Sequence, residues 1–145
     1  MTAKMKILFI CTGNSCRSQM AEGYTRHLRG DKWEAWSAGT EPRELDQYAV
    51  KVMAEEQIDI SHQKSKSLDE IPEIVFDYIM TLCDKAKEQC PAWRGKEINL
   101  HFGFDDPVVL SKNKNDEYKI EIYRRVRDMI RDVITDTLDD LYERK

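Results

Sequence analysis

A short apolar run, Ile7, Leu8, Phe9 and Ile10, passes directly into Cys-Thr-Gly-Asn-Ser-Cys-Arg-Ser at positions 11–18. After it, Met20, Ala21, Tyr24 and Leu28 recur at helical spacing until Gly30. A strand over Lys6 to Ile10 that feeds a helix through so short a loop is the opening of a βα unit, and few folds accommodate it. The loop is also the right size to turn its backbone N–H groups around one tetrahedral anion.

The rest of the chain repeats the alternation. Trp33 to Ser37 reads as a second strand, and Leu45 to Gln57 as a helix with Leu45, Ala49, Val52 and Met53 on one face. Ile74 to Leu82 is nearly all apolar, as a strand buried on both faces should be, and Ile98 to Phe102 is a fourth candidate. Ile122, Val126, Met129, Ile130, Val133, Ile134, Thr137, Leu138 and Leu141 make a helical stripe across Glu117 to Glu143. Ser111 to Asp116 is polar and loop-like. The expected fold is α/β, a small open four-stranded parallel sheet with helices on both faces, and residues 1–145 read as a single domain. Such sheets bind ligands at the C-terminal ends of their strands, where residues 11–18 fall.

Charge and cysteine usage narrow the function. With 23 basic and 27 acidic side chains the net charge is only -4, which leaves no electrostatic footprint for nucleic acid. The apolar run at Ile7 is far shorter than the roughly 7–15 residues of a signal peptide core or the ~20 of a membrane span, so a cytoplasmic protein with no membrane partner is expected. Cytosolic thiols stay reduced, which leaves Cys11, Cys16, Cys83 and Cys90 catalytic, metal-binding or buried roles. Their spacings, C-x4-C and C-x6-C, do not match zinc pairs, and His27, His62 and His101 are scattered. No metal and no cofactor are expected.

Within the loop each residue type has a use. Cys11 and Arg17 bracket five residues, so Arg17 can grip two oxygens of an anion held by the backbone of Thr12, Gly13, Asn14, Ser15 and Cys16. Gly13 permits close approach, Asn14 tolerates positive φ and can bond across the loop, and Ser18 can donate to the Cys11 sulfur. The helix dipole, the loop amides and Arg17 all favour a Cys11 thiolate, which is the nucleophilic form. A lone C-x5-R could equally mark a buried strand-end thiol; the strand-loop-helix context favours the nucleophile. Cys16 reads as a packing residue.

The stretch CTGNSCRSQMAEG resembles the catalytic loop of the thioredoxin-coupled arsenate reductases, which share the low-molecular-weight tyrosine phosphatase fold. Further matching stretches are SAG at Ser37 to Gly39, TLC at Thr81 to Cys83, CP at Cys90 to Pro91, GFDDP at Gly103 to Pro107 and RVRD at Arg125 to Asp128. The resemblance implies reduction of arsenate to arsenite. Cys11 attacks arsenate while Asp106 protonates the departing oxygen, Cys83 attacks Cys11, and Cys90 then takes over the disulfide from Cys11. The resulting Cys83 to Cys90 pair is reduced by thioredoxin, or alternatively by glutaredoxin or a low-molecular-weight thiol. The resemblance also gives Asn14, Glu22 and Ser37 a role in supporting the loop. Some members hold potassium there with an acidic side chain near position 66, where this chain has Lys66. A monomer is expected.

Three features keep the reading open to test. A helix through Asp84 to Gln89 would set Cys83 and Cys90 about 10.5 Å apart along its axis. A disulfide allows Cα separations of roughly 4.4–6.8 Å, so that helix would have to rearrange when the two join. Alternatively, both are ordinary buried thiols. Val108 and Val109 follow Pro107, and the connection to the last helix is longer than the family's usual one, so the segment carrying Asp106 moves differently. Asp105 reads as a turn or surface residue. Two other functions remain: a low-molecular-weight tyrosine phosphatase needing only Cys11, Arg17 and Asp106, and a thiol module that binds arsenite or a soft metal.

Overall fold

The computed structural model describes residues 3–89 and 97–144. Their elements are β1 (Met5–Cys11), α1 (Arg17–Arg29), β2 (Trp33–Gly39), α2 (Gln47–Ala54), β3 (Tyr78–Thr81), α3 (Asp84–Gln89), β4 (Ile98–His101), α4 (Pro107–Leu110) and α5 (Asp116–Glu143). The four strands form one sheet in the order β2-β1-β3-β4, and every pairing is parallel. The sheet expected from the alternation of elements is therefore present.

Its centre explains where the chemistry sits. β1 lies between β2 and β3, with Ile7, Leu8, Phe9 and Ile10 completely buried, so an apolar run was required at that place. Parallel registers align Cys11 with Gly39 and Ile10 with Thr81. All three strands thus end at one edge, and Cys83 follows β3 by two residues there. α1 packs on β1 and β2, with α5 against α1. Arg29 on α1 holds Asp139 on α5 through two contacts of 2.6 and 3.0 Å. Buried Arg127 donates to Val52 O at 2.9 Å, which fixes α2 against α5.

Three elements differ from the sequence reading. The apolar run at Ile74 to Leu82 is a strand only over Tyr78–Thr81, and Val75 is 71% exposed. Asp77 begins the pairing by exchanging two hydrogen bonds with Lys6, and Phe76 turns instead onto Trp36. The helix expected from Leu45 starts at Gln47, because Asp46 caps it through Tyr48 N and Ala49 N, and it stops before Gln57, which has a φ of 59°. On α5, Met129 is exposed while Tyr123 and Arg127 are buried, so the buried stripe lies slightly around the helix from the apolar pattern. Leu28 on α1 is likewise exposed. The short helix α4 is an addition, built by Pro107 at its first turn and Asp106 as its cap.

Candidate active site

Residues 11–15 are held from outside by their carbonyl groups. Thr40 N donates to Cys11 O, Glu41 N to Thr12 O, Arg43 N to Gly13 O and Asp46 N to Ser15 O, at 3.3, 2.8, 2.8 and 2.9 Å. Ser65 Oγ adds a second bond to Gly13 O at 3.0 Å, and Gln19 Nε2 takes Asn14 O at 2.8 Å. In a trans peptide the C=O and the following N–H point in opposite directions. Five successive carbonyls pinned outward therefore turn the amides of residues 12–16 inward, the arrangement that binds an anion. α1 adds to this: Cys16, at its N-cap, makes no side-chain cap, so the first-turn N–H groups remain available.

Gly39 makes the close packing possible. A Cβ there would lie 2.6 Å from Thr12 O and 2.9 Å from Asn14 N, so only glycine lets β2 run under the loop. Asn14 has a φ of 47°, the positive value for which asparagine is suited. Its Nδ2 donates to Ser18 Oγ at 2.8 Å, and Ser18 Oγ is 2.9 Å from Cys11 Sγ. With its oxygen already accepting from Asn14, Ser18 has its proton free to donate to the sulfur.

A cavity of about 250 Å3 opens over this loop, lined by Cys11, Thr12, Gly13, Ser15, Cys16 and Arg17, with Arg43, Lys85, Asp106, Val108 and Val109 toward its mouth. Arg17 enters braced: Nη1 donates to Phe104 O at 3.1 Å, and Nη2 lies 3.4 Å from Asp106 Oδ2. Asp106 also caps α4 through Val108 N at 3.0 Å, so one carboxylate both closes a turn and faces the loop. Asn14 and Ser18, read from the sequence among the anion-binding residues, are wholly buried and do not line the cavity. They act from beneath.

Cys83 Sγ lies 3.2 Å from Thr12 Oγ1, which puts the second thiol beside the residue that follows Cys11. α3 begins immediately after it, over the residues for which a helix was considered, whereas Cys90 lies outside the described residues. Cys16 is different from both. Burial first, then the Asp46 carboxylate and Cys11, push its thiol well above the ordinary range, so it stays protonated.

The proposed support residues are joined indirectly. Ser37 Oγ donates to Glu22 Oε1 at 2.6 Å, and Arg26 pairs with Glu22 at 3.1 Å. Lys66 N donates to Asn14 Oδ1 at 2.8 Å, and Lys66 O accepts from Gly39 N, which ties the loop to β2. The Lys66 ammonium donates to Lys64 O at 2.8 Å; burial lowers its pKa, with Glu22 opposing that shift. Among the described residues no group of three His, Cys, Asp or Glu side chains could hold a metal ion. Arg43, Ser65 and Lys85 are site residues that motif reading missed, and Gln19 and Gly39 fall in the matching stretches without a role being read for them. Arg43 reaches the loop through its backbone N–H, which leaves no mark on residue type, while Gln19, Ser65 and Lys85 act through side chains that no local motif singles out.

The sequence profile of the low molecular weight phosphotyrosine protein phosphatases matches residues 6–145. The chain belongs to that family. Among its relatives is an arsenate reductase of Halalkalibacterium halodurans, 46% identical over 127 residues, spanning 88% of this chain and 90% of the relative. A solved arsenate reductase in the phosphate-binding state superposes with a TM-score of 0.79 at 30% identity, covering 94% of this chain and 98% of the other. One in the oxidized state gives 0.76 at 29%, covering 90% and 94%. Family membership fits the anion loop, and the similarity to arsenate reductases fits the thiol beside it.

Proposed function

We propose that the protein reduces arsenate to arsenite with electrons from its own thiols. The observation that carries this reading is the 3.2 Å contact between Cys83 Sγ and Thr12 Oγ1, because a phosphatase has no use for a second thiol at the rim of its anion loop. The loop amides and Arg17 hold the oxyanion, and the Cys11 thiolate attacks arsenic. Asp106 protonates the oxygen that departs as water, leaving a Cys11 sulfur-arsenic bond. Cys83 then attacks the Cys11 sulfur. The sulfur–sulfur bond forms as the sulfur–arsenic bond breaks, and its electron pair stays on arsenic, which leaves as arsenite. Cys90 next attacks Cys83, releasing Cys11 as thiolate, and an external dithiol reduces the Cys83 to Cys90 disulfide. Thioredoxin is the proposed reductant, in the cytoplasm, with the enzyme as a monomer. α3 runs directly on from Cys83, which supports the reading that this helix rearranges when Cys83 joins Cys90.

The test supplies arsenate, thioredoxin, its reductase and reduced nicotinamide cofactor. Steady turnover is expected from the native protein, none from Cys11→Ser, and a single cycle from Cys90→Ser. Sustained turnover by Cys83→Ser would overturn the mechanism. Cys11, Arg17 and Asp106 also suffice for slow phosphomonoester hydrolysis, favoured by their shared cavity. That side activity should survive Cys83→Ser and vanish in Cys11→Ser.

A further inference from the structure

Three cationic side chains line the cavity, and two of them are committed. Arg17 is held by Phe104 O and Asp106, and Lys85 donates to Glu41 at 2.8 Å, a pairing that lowers the Glu41 pKa. Arg43 is exposed, and among the described residues its guanidinium has no hydrogen-bonded acid. Its backbone is nonetheless fixed. Arg43 N is bonded to Gly13 O, and a Cβ built on Gly13 would lie 3.6 Å from Arg43 Cδ and 3.7 Å from Cγ. The aliphatic stem therefore lies across the face of Gly13, and Arg43 lines the cavity together with the anion-loop residues. Val108 and Val109, also in that lining, offer neither charge nor an aromatic surface.

We propose that Arg43 is a specificity residue that recruits free inorganic oxyanions in preference to their organic esters. The proposal rests on arsenate reduction at Cys11. Attack by Cys11 is in line with the oxygen that leaves, so that oxygen faces away from the sulfur, toward the cavity mouth, while the other three face the loop amides and Arg17. In free arsenate or phosphate the outward oxygen is a polar group that a guanidinium can hold by a charge-assisted hydrogen bond. In a phosphomonoester the same oxygen carries carbon, and the organic group must occupy the space beside Arg43. Arg43 accordingly adds affinity for the bare anion and none for the ester. Because its contact is made to bound substrate before any bond changes, it acts in KM rather than in kcat.

The side chain can be tested without disturbing the loop, because the bond to Gly13 O comes from the Arg43 backbone. Arg43→Gln and Arg43→Lys are compared with the native protein in three measurements: arsenate turnover, binding of inorganic phosphate by calorimetry, and hydrolysis of p-nitrophenyl phosphate. For Arg43→Gln the arsenate KM and the phosphate Kd should both rise about tenfold, as expected for one lost charged hydrogen bond, with kcat within twofold. KM for the aryl ester should be unchanged or lower, and Arg43→Lys should recover part of the anion affinity. Unchanged phosphate affinity, or an equal loss for anion and ester, overturns the proposal. Phosphate binding is independent of turnover, so absent arsenate reduction with a weakened phosphate Kd in Arg43→Gln would refute the proposed reaction while leaving anion recruitment standing.

Discussion

On one side of the cavity, the carbonyls of Cys11 through Ser15 each accept a hydrogen bond from outside the loop, and Asn14, Ser18 and Gln19 beneath it are wholly buried. On the other side, Val108 and Val109 are 43% and 68% exposed, Asp106 sits on a four-residue helix, and Cys83 touches the loop through a single hydroxyl. The first wall is built so that nothing need move when an anion arrives, which is how backbone dipoles stabilise charge without reorganising. The second carries the groups that approach and withdraw in the proposed redox cycle, and its two valines are open to solvent. In the proposed cycle, binding falls to the first wall and electron transfer to the second.

The sharpest way to break this contrast is to loosen the rigid wall. Gly39→Ala places a methyl group where Thr12 O now stands 2.6 Å away, and backbone on both sides leaves it no room. Displacing the loop should cost about 3 kcal/mol of stability, lowering the melting temperature by on the order of 10 °C. Phosphate affinity should fall by about a hundredfold even where the variant is folded, since the inward amides lose their alignment. Melting followed by circular dichroism, with phosphate titration below the transition, separates the two effects. An Ala variant that binds phosphate normally would mean that the loop is not held by its packing on β2.

Thr12→Val cuts the link between the two walls with little change in volume. It removes the hydroxyl 3.2 Å from Cys83 Sγ while leaving the Thr12 amide and carbonyl in place. Formation of the Cys11 to Cys83 disulfide should slow about tenfold, the worth of one hydrogen bond near a reacting thiol, with phosphate affinity unchanged. Quenched-flow alkylation after addition of arsenate reads that rate directly. An equal loss in both quantities would place Thr12 in the anion cradle alone.

How much of this was legible beforehand follows the same division. The strand before Cys11, the helix after Arg17 and the roles open to Gly13, Asn14 and Ser18 are local, and a contiguous motif shows them. The clamp around the loop is not local. It uses the backbone N–H groups of Thr40, Glu41, Arg43 and Asp46, and any residue but proline has one, so no residue type marks those positions. Val75 was misread for a related reason: an unbroken apolar run does not say where pairing begins, and Asp77 decides that by bonding to Lys6. Asp106 was legible as an acid before proline, but its second task as the cap of α4 depended on a helix too short to leave a periodicity.

Asp46 offers a smaller perturbation of the rigid side. Besides holding Ser15 O through its backbone, it caps α2 at Tyr48 N and accepts from Tyr123 Oη at 2.5 Å, a contact that together with burial raises the Tyr123 pKa far above the usual range. Asp46→Ala removes a cap worth about 1 kcal/mol and strands the tyrosine hydroxyl at a cost of about 1 kcal/mol more. Urea unfolding should show a loss of roughly 2 kcal/mol, and Tyr123→Phe about half of it. Since the bond to Ser15 O survives both changes, phosphate affinity should move no more than a few-fold. A large loss of affinity would show that the side chain, and not the backbone, carries the clamp.

The smallest effect is expected at Cys16, which lines the same cavity as Cys11 but is held protonated by its surroundings. Its burial, the Asp46 carboxylate and the neighbouring Cys11 all oppose ionisation, whereas Cys11 receives the Ser18 hydroxyl and faces the inward amides. Only a thiolate attacks an alkylating agent at a useful rate. Iodoacetamide at neutral pH should therefore label Cys11, inorganic phosphate should slow that labelling, and Cys16 should remain unmodified in the same peptide map. Cys16→Ala should change arsenate turnover by less than about twofold, because the loop uses this residue's amide and not its sulfur. Labelling of Cys16 as fast as Cys11 would mean that the field inside the loop is uniform, and the separation of a reactive thiol from a silent one five residues later would need another cause.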